Sequence, residues 1–357
     1  MANPLTSDVL VDPVVLTRAL VDIESVSLHE KVIADCVEEV LRQIPHLSVE
    51  RHRNTVMART SLGRDQRVVL AGHLDTVPLN DNFPSTVVDD LIHGCGTADM
   101  KSGVALALHL AATLPDPRYD LTFLFYEAEE IESRFNGLNL VAQHRPEWLA
   151  ADFAVLLEPT YGVVEAGCQG TMRAIVRTRG RRAHTARAWR GVNAIHAAGA
   201  VLRRLEDYRA RTVTIDGCTY REGLNAVHIS GGVAGNVVPD ECAVEVNLRF
   251  APDRTEELAF EHLCEVFDGF EVEVTDSAPG ALPGLDAAPA REFLVAVGAE
   301  PAAKLGWTDV SRFAALGVPA LNYGPGDPQL AHAPDEHVEI GKIRDGAATL
   351  HRWLATY

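Results

Sequence analysis

The sequence places His73 and Asp75 two residues apart, directly after the apolar run Val68-Val-Leu-Ala-Gly72. In extended backbone such a pair shares one face, so the Asp75 carboxylate can accept a hydrogen bond from the ring nitrogen that a metal would not use. A partner of this kind fixes the tautomer of a metal-binding histidine. A histidine after a buried strand is also an ordinary structural residue, and the pair gains meaning from residues further along the chain. Asp99 stands between a glycine-rich turn and a helix, Glu129-Glu130 and Glu158 each end an apolar strand-like run, and His332 sits in a loop near the C-terminus. Imidazoles and carboxylates in this number suit two divalent cations and a catalytic base. Asp99 can offer one oxygen to each of two metals. The adjacent side chains of Glu129 and Glu130 point different ways, so one can bind metal while the other takes a proton from water.

Simpler readings compete at several of these positions. Asp99 or Ser102 can cap the alanine- and leucine-rich helix predicted over Ser102 to Leu114. Four glutamates in Glu127-Ala-Glu-Glu-Ile-Glu132 can form a solvated acidic face. The glycines of His93-Gly-Cys-Gly-Thr-Ala-Asp-Met-Lys-Ser-Gly103 are not spaced as a dinucleotide fingerprint, and no G-K-[ST] marks a phosphate loop. The six cysteines are scattered with no C-x-x-C pair, which argues against a zinc ribbon or redox motif and for reduced thiols. Cys95 is close in sequence to Asp99, but oxygen and imidazole ligands suffice without it.

The elements that must position these residues alternate. Asp12-Pro13 starts a first helix, and Ser27-Leu-His-Glu30 reads as a capping box for a second, carrying Ile33, Val37, Val40 and Leu41 at helical spacing. Strands are predicted near Val49 to Ala58, Arg67 to Ala71, Tyr119 to Tyr126 and Asp152 to Leu157, with an irregular polar connection over Asp81 to Ile92. Strands separated by helices, with polar residues at the strand ends, predict an α/β sheet whose site lies at one edge. From about residue 169 the pattern changes to strands and helices of an α+β kind, and Ser277-Ala-Pro-Gly-Ala-Leu-Pro-Gly284 reads as a return linker. The expected organisation is a discontinuous catalytic domain, 1–168 with 285–357, interrupted by a second domain over 169–284. Arg173, Arg177, Arg179, Arg181 and Arg182 of the insert suit an anionic substrate or, for most of them, a solvated strand face. Ile340 to Leu354 is predicted as the last helix.

The chain carries 50 acidic and 32 basic residues, a formal charge of -18, which disfavours nucleic acid and anionic membrane as partners. The N-terminus shows no signal peptide and no apolar run is long enough to span a membrane, so a cytoplasmic location is expected.

With these pieces in place, the chain resembles the M20 family of metallopeptidases and amidohydrolases, in particular its actinobacterial-type desuccinylases. The resemblance rests on Gly72-His-Leu-Asp75, the Gly94–Gly103 stretch, Glu129-Glu130, Leu157-Glu-Pro-Thr160 and His332. It extends to Gly180-Arg-Arg-Ala-His184 with Gly191-Val-Asn-Ala-Ile195, and to Asn236-Val-Val-Pro239 with Asn247-Leu-Arg249. Arg181-Arg182 stands where glycine-lysine is commoner, and the Asp81–Ile92 connection lacks a tryptophan often found there. The resemblance implies a mixed-sheet, zinc-aminopeptidase-like catalytic domain with an inserted α+β lid that forms a homodimer. It implies two Zn2+ per subunit, with Co2+ or Mn2+ as possible substitutes: His73 and Glu158 on one, Glu130 and His332 on the other, Asp99 bridging. Asp75 would orient His73, Glu129 would act as general base, and lid His184 would help stabilise the oxyanion. The substrate implied is a small dicarboxylate-bearing amide, N-succinyl-diaminopimelate first, with Arg249, Asn236, Arg312 and the backbone at Gly324 as candidate contacts. Acetylornithine deacetylation, dipeptide hydrolysis and a silent binding protein on the same fold are the competing expectations.

Overall fold

The computed structural model describes residues 3–355. They form two compact units. The larger takes in the described residues up to Ala166, Pro283–Ala302 and those from Arg312 onward; the smaller comprises Gly167–Leu282 and Ala303–Ser311.

A mixed sheet runs through the larger unit in the order Ser48–His52, Thr55–Arg59, Asp120–Tyr126, Arg67–His73, Phe153–Leu156, Ala320–Asn322 and Glu165–Ala166. The four strands Asp120–Tyr126, Arg67–His73, Phe153–Leu156 and Ala320–Asn322 are parallel neighbours. Asp120–Tyr126 is buried throughout and Arg67–His73 after its first residue, as expected of parallel strands covered on both faces. Because they are parallel, their C-terminal ends lie at one edge. That edge carries His73, Glu127-Ala-Glu-Glu130, Glu158 and Gly324.

The helices Pro13–Val21, Lys31–Arg42, Ser102–Thr113 and Ile340–Leu354 share one apolar core with the sheet. Asp12 caps the first by accepting the Val14 N–H at 2.8 Å, as its sequence predicts. Ser102–Thr113 is buried along nearly its whole length, and its glycine and alanines permit close backbone approach. At Gly103 a Cβ would stand 2.0 Å from the Leu157 carbonyl oxygen.

The smaller unit is an antiparallel sheet in the order Gly223–Gly231, Glu241–Phe250, Gly170–Arg179, Glu271–Ala278. Alternate residues Met172, Ala174 and Val176 of one central strand and Val244, Val246 and Leu248 of the other join one core with residues of the helices Ala194–Asp207 and Glu256–Val266. Asn193 and Thr255 cap these helices.

Two expectations are corrected. Ser27 and Glu30 do not form a capping box: the Ser27 hydroxyl donates to Asp75 at 2.8 Å, and Glu30 accepts the N–H groups of Leu28 and Ala128. The Asp81–Ile92 connection is not wholly irregular, since Thr86–Val88 and Leu91–His93 pair with each other and the latter with His337–Glu339. The arginine cluster does lie on a solvated strand face, as favoured for most of its members: Arg173, Arg177 and Arg179 pair across the sheet with Asp276, Glu273, Glu241 and Glu271. Such exposed ladders contribute little stability each, but they occupy the guanidinium groups. All six cysteines are free thiols, and no helix among the described residues is long and apolar enough to cross a membrane.

Candidate metal centre

His73 closes the strand Arg67–His73 and is 1% exposed. Its Nδ1 faces the Asp75 backbone carbonyl at 3.0 Å and the Asp75 carboxylate at 3.4 Å. Its Nε2 faces Asp99 Oδ1 at 3.1 Å. The Asp75 main-chain carbonyl is thus the nearer partner of the ring, with the carboxylate read from the i, i+2 spacing beside it.

Asp75 does more than hold the ring. Its two carboxylate oxygens accept the N–H groups of Glu129 at 3.0 Å and Glu130 at 3.2 Å, besides the Ser27 hydroxyl. Ala128 makes this possible by taking a left-handed conformation, φ 56°, unusual for a residue with a Cβ. Its N–H is held by Glu30 Oε1 at 3.2 Å. One buried carboxylate thus fixes the ring of His73 and the backbone of both glutamates. Burial alone would raise the Asp75 pKa, yet the contact with His73 holds it below the ordinary carboxylate value.

Asp99 lies in the irregular turn before Ser102–Thr113. It does not cap that helix, and neither does Ser102, which is its first residue. Its carboxylate oxygens divide between two histidines: Oδ1 faces His73, and Oδ2 lies 3.6 Å from His332 Nε2. His332, itself left-handed at φ 64°, faces Glu130 Oε1 from Nε2 at 2.9 Å. Two triads result: His73, Asp99 and Glu158, and Asp99, Glu130 and His332. Within each, one ligand atom per residue lies within 4.8 Å of the others. The triads share Asp99, the arrangement of a carboxylate between two cations. Glu129 falls into a further group with His73 and Glu130.

The protonation pattern suits a centre built for cations. Burial disfavours a proton on His73, but hydrogen bonds to Asp75 and Asp99 outweigh it and hold its pKa well above the ordinary histidine value. Asp99 and Glu130 push His332 up to about 10. Asp99 is held far below the usual carboxylate range by His332 and His73, against the effect of burial. In the metal-free chain, protons on two histidines stand where positive charge is wanted. Imidazole and carboxylate donors in threes, with positions left over for water or substrate, fit two zinc-like ions. Cys95 is in neither triad; its thiol faces the Val77 carbonyl.

Glu158 is positioned by glycines. A Cβ at Gly324 would stand 2.5 Å from the carbonyl oxygens of both Leu157 and Glu158, and Thr160 hydrogen-bonds both backbone groups of Gly324. Gly103 packs against Leu157 just as closely. Arg312 donates to the Ser133 hydroxyl at 3.1 Å, just beyond the glutamate pair.

His184, Asn236 and Arg249 belong to the smaller unit. His184 and Val237 form a bridge, and the Asn236 carbonyl accepts the Thr185 N–H at 3.0 Å, so His184 and Asn236 are neighbours. His184 Nδ1 accepts the Ala186 N–H at 3.0 Å. In a neutral imidazole that leaves the proton on Nε2 as a donor. Arg249 sits on Glu241–Phe250, half-buried, with no ion pair among the described residues; burial pulls its guanidinium below the ordinary value.

Two residues at the centre received no role from the sequence. Lys101 is buried, donates to the Ile23 carbonyl at 2.8 Å, and is lowered to about 8 by burial. Glu336 is buried against the Asp99 turn and raised to about 7 by burial.

The chain is 57% identical over 346 residues to a Mycobacterium tuberculosis protein named "Putative succinyl-diaminopimelate desuccinylase DapE", covering 96% of this chain and 98% of the relative. It is 50% identical over 359 residues to the succinyl-diaminopimelate desuccinylase of Corynebacterium glutamicum, covering 98% and 97%. Among solved structures, a tripeptidase from Staphylococcus aureus shares the fold with a TM-score of 0.79 at 22% identity, covering 98% of each chain. The model of peptidase family M20/M25/M40 matches residues 69–356, and the chain belongs to that family.

Proposed function

We propose that the chain is a di-zinc amide hydrolase converting N-succinyl-LL-2,6-diaminopimelate and water to succinate and LL-2,6-diaminopimelate, in the cytoplasmic synthesis of diaminopimelate and lysine. The observation that carries this reading is the pair of ligand triads sharing Asp99, in a chain about half identical, end to end, to proteins named for that reaction. His73, Asp99 and Glu158 would hold one ion, and Asp99, Glu130 and His332 the other. When bound, the ions polarise the amide carbonyl and acidify the attacking water.

The chain's own groups do the rest. Glu129, with its backbone pinned by Asp75, accepts the proton of the attacking water and delivers it to the leaving nitrogen. His184, with its proton on Nε2, donates to the developing oxyanion; removing such a donor commonly costs about 3 to 4 kcal/mol of transition-state stabilisation. Arg249, Asn236 and Arg312 take the substrate's carboxylates, for which a guanidinium fork has matching geometry, and the backbone at Gly324 lines the acyl side.

A homodimer through the smaller unit completes the reading. Its outer strand Gly223–Gly231 is exposed over nearly its whole length, including Val227 and Ile229. An uncovered apolar edge strand is a template for pairing with another chain, here a second copy.

The test is kcat/KM on the zinc-loaded protein for N-succinyl-LL-diaminopimelate, N-acetylornithine and neutral dipeptides. An acetyl group leaves an arginine poised for the distal carboxylate unpaired, which costs more than a missing methylene. Clear preference for the succinyl substrate is expected. Equal or better turnover of acetylornithine would overturn the substrate assignment and leave the metal centre standing.

A further inference from the structure

Glu336 is 2% exposed and lies four residues beyond His332. Its Oε1 accepts the N–H of Ala98 at 2.8 Å and of Asp99 at 3.0 Å, and its Oε2 accepts that of Gly96 at 3.0 Å. Its own backbone carbonyl accepts the Gly94 N–H at 3.0 Å. Gly96 is left-handed, φ 82°, which helps successive N–H groups converge on one anion. A single residue therefore clamps the turn over 94–99 and does so from the segment that supplies His332.

We propose that Glu336 is a positioning residue that aims the shared carboxylate of Asp99 at both metal positions. The proposal rests on the two-metal reading of the centre. Holding the N–H of Asp99 and of the residue before it fixes the direction of the Asp99 side chain, whose two oxygens must serve two ions at once. A carboxylate suits this task because it is acceptor-only on both oxygens. Glutamine would turn an NH2 toward at least one of the three N–H groups, donor against donor, and displace the turn. Because Asp99 belongs to both triads, its displacement disturbs both ions together. Loss of an unshared ligand such as Glu130 disturbs one.

The experiment is a zinc titration of the metal-free full chain, wild type against Glu336→Gln and Glu130→Gln, with far-UV spectra and melting curves of each metal-free protein. Partners that orient metal ligands are commonly worth about 10- to 100-fold in metal affinity. Glu336→Gln should weaken both zinc sites by that factor, while Glu130→Gln weakens one. Glu336→Asp keeps the charge but withdraws it by one methylene; it should weaken both sites by a smaller factor. Wild-type affinity at either position in a folded Glu336→Gln chain overturns the proposal, including where melting falls but zinc binding does not. Should Glu336→Gln fail to fold, Glu336→Asp decides on the same criterion. Zinc binding is read without turnover, so a failure of the desuccinylase assignment would show separately.

Discussion

At the scale of single residues, the centre is organised from Asp75 as much as from the ligands. Its carboxylate reaches the His73 ring and the N–H groups of both Glu129 and Glu130. Under the proposed function, this lets the adjacent glutamates diverge, one as base and one as ligand. Glu129→Gln should retain both metals and lose about 10²- to 10⁴-fold in kcat, whereas Glu130→Gln should also release the ion shared with His332. Equal metal loss in the two variants, or full activity in the first, would reverse the assignment. Protonation gives a second prediction. His332 in the metal-free chain is raised to about 10, and His73 also lies well above the ordinary value. Metal must then displace protons at neutral pH, and its affinity should rise with pH. Calorimetric titration in buffers of different ionisation enthalpy counts the protons released, and finding none at pH 7 would contradict the arrangement. The same shift carries a stability sign. The stabilisation from His332 is complete below its ordinary value of 6.5 and is lost as pH rises through about 10, so the metal-free chain should melt progressively lower across that window. The sequence made His73, Asp75, Asp99, Glu130 and Glu158 legible as candidates because each follows an apolar run or a glycine turn, while His332, in a loop, gained its candidate role from the family resemblance. It did not disclose Glu336 or the second duty of Asp75, because both act through backbone N–H groups distant in the chain. Ser27 misled for a related reason: a serine three residues before a glutamate looks like a cap, and only tertiary contact reveals that it serves Asp75.

At the scale of elements, four parallel strands end at one edge and bring candidate ligands at 73, 130 and 158 together, while turns supply those at 99 and 332. Alternation of strands and helices made this edge predictable. The fit of backbone against backbone was not, since it depends on which segments approach. Leu157 and Glu158 are flanked by Gly103 and Gly324, where added methyl groups would stand 2.0 and 2.5 Å from carbonyl oxygens. Gly324→Ala should therefore displace Glu158 and lower the affinity of the His73 site. Core overpacking of this kind typically costs about 1 to 3 kcal/mol. A zinc titration with a denaturant melt reads both effects; an alanine variant with wild-type zinc affinity would show that the segment can yield without moving the ligand. The lid arginines show a matching limit in the other direction. Their clustering was visible, but cross-strand pairing with Glu241, Glu271, Glu273 and Asp276 came only with the register.

At the scale of the whole molecule, the proposed dimer makes it testable whether His184 acts within its own chain or on the neighbouring subunit. If His184 serves the neighbouring subunit, an inactive His184→Ala chain mixed with an inactive Glu129→Gln chain should regain activity through heterodimers holding one intact site. No recovery despite proven subunit exchange would return His184 to its own chain. Beneath the substrate, the dimer and the base lies the claim that two ions share Asp99. The direct measurement is the zinc content of the fully loaded protein by equilibrium dialysis and elemental analysis. The shared triads require two equivalents per chain, falling steeply at both positions in Asp99→Asn. A reproducible limit of one equivalent under saturating zinc would contradict the bridged centre.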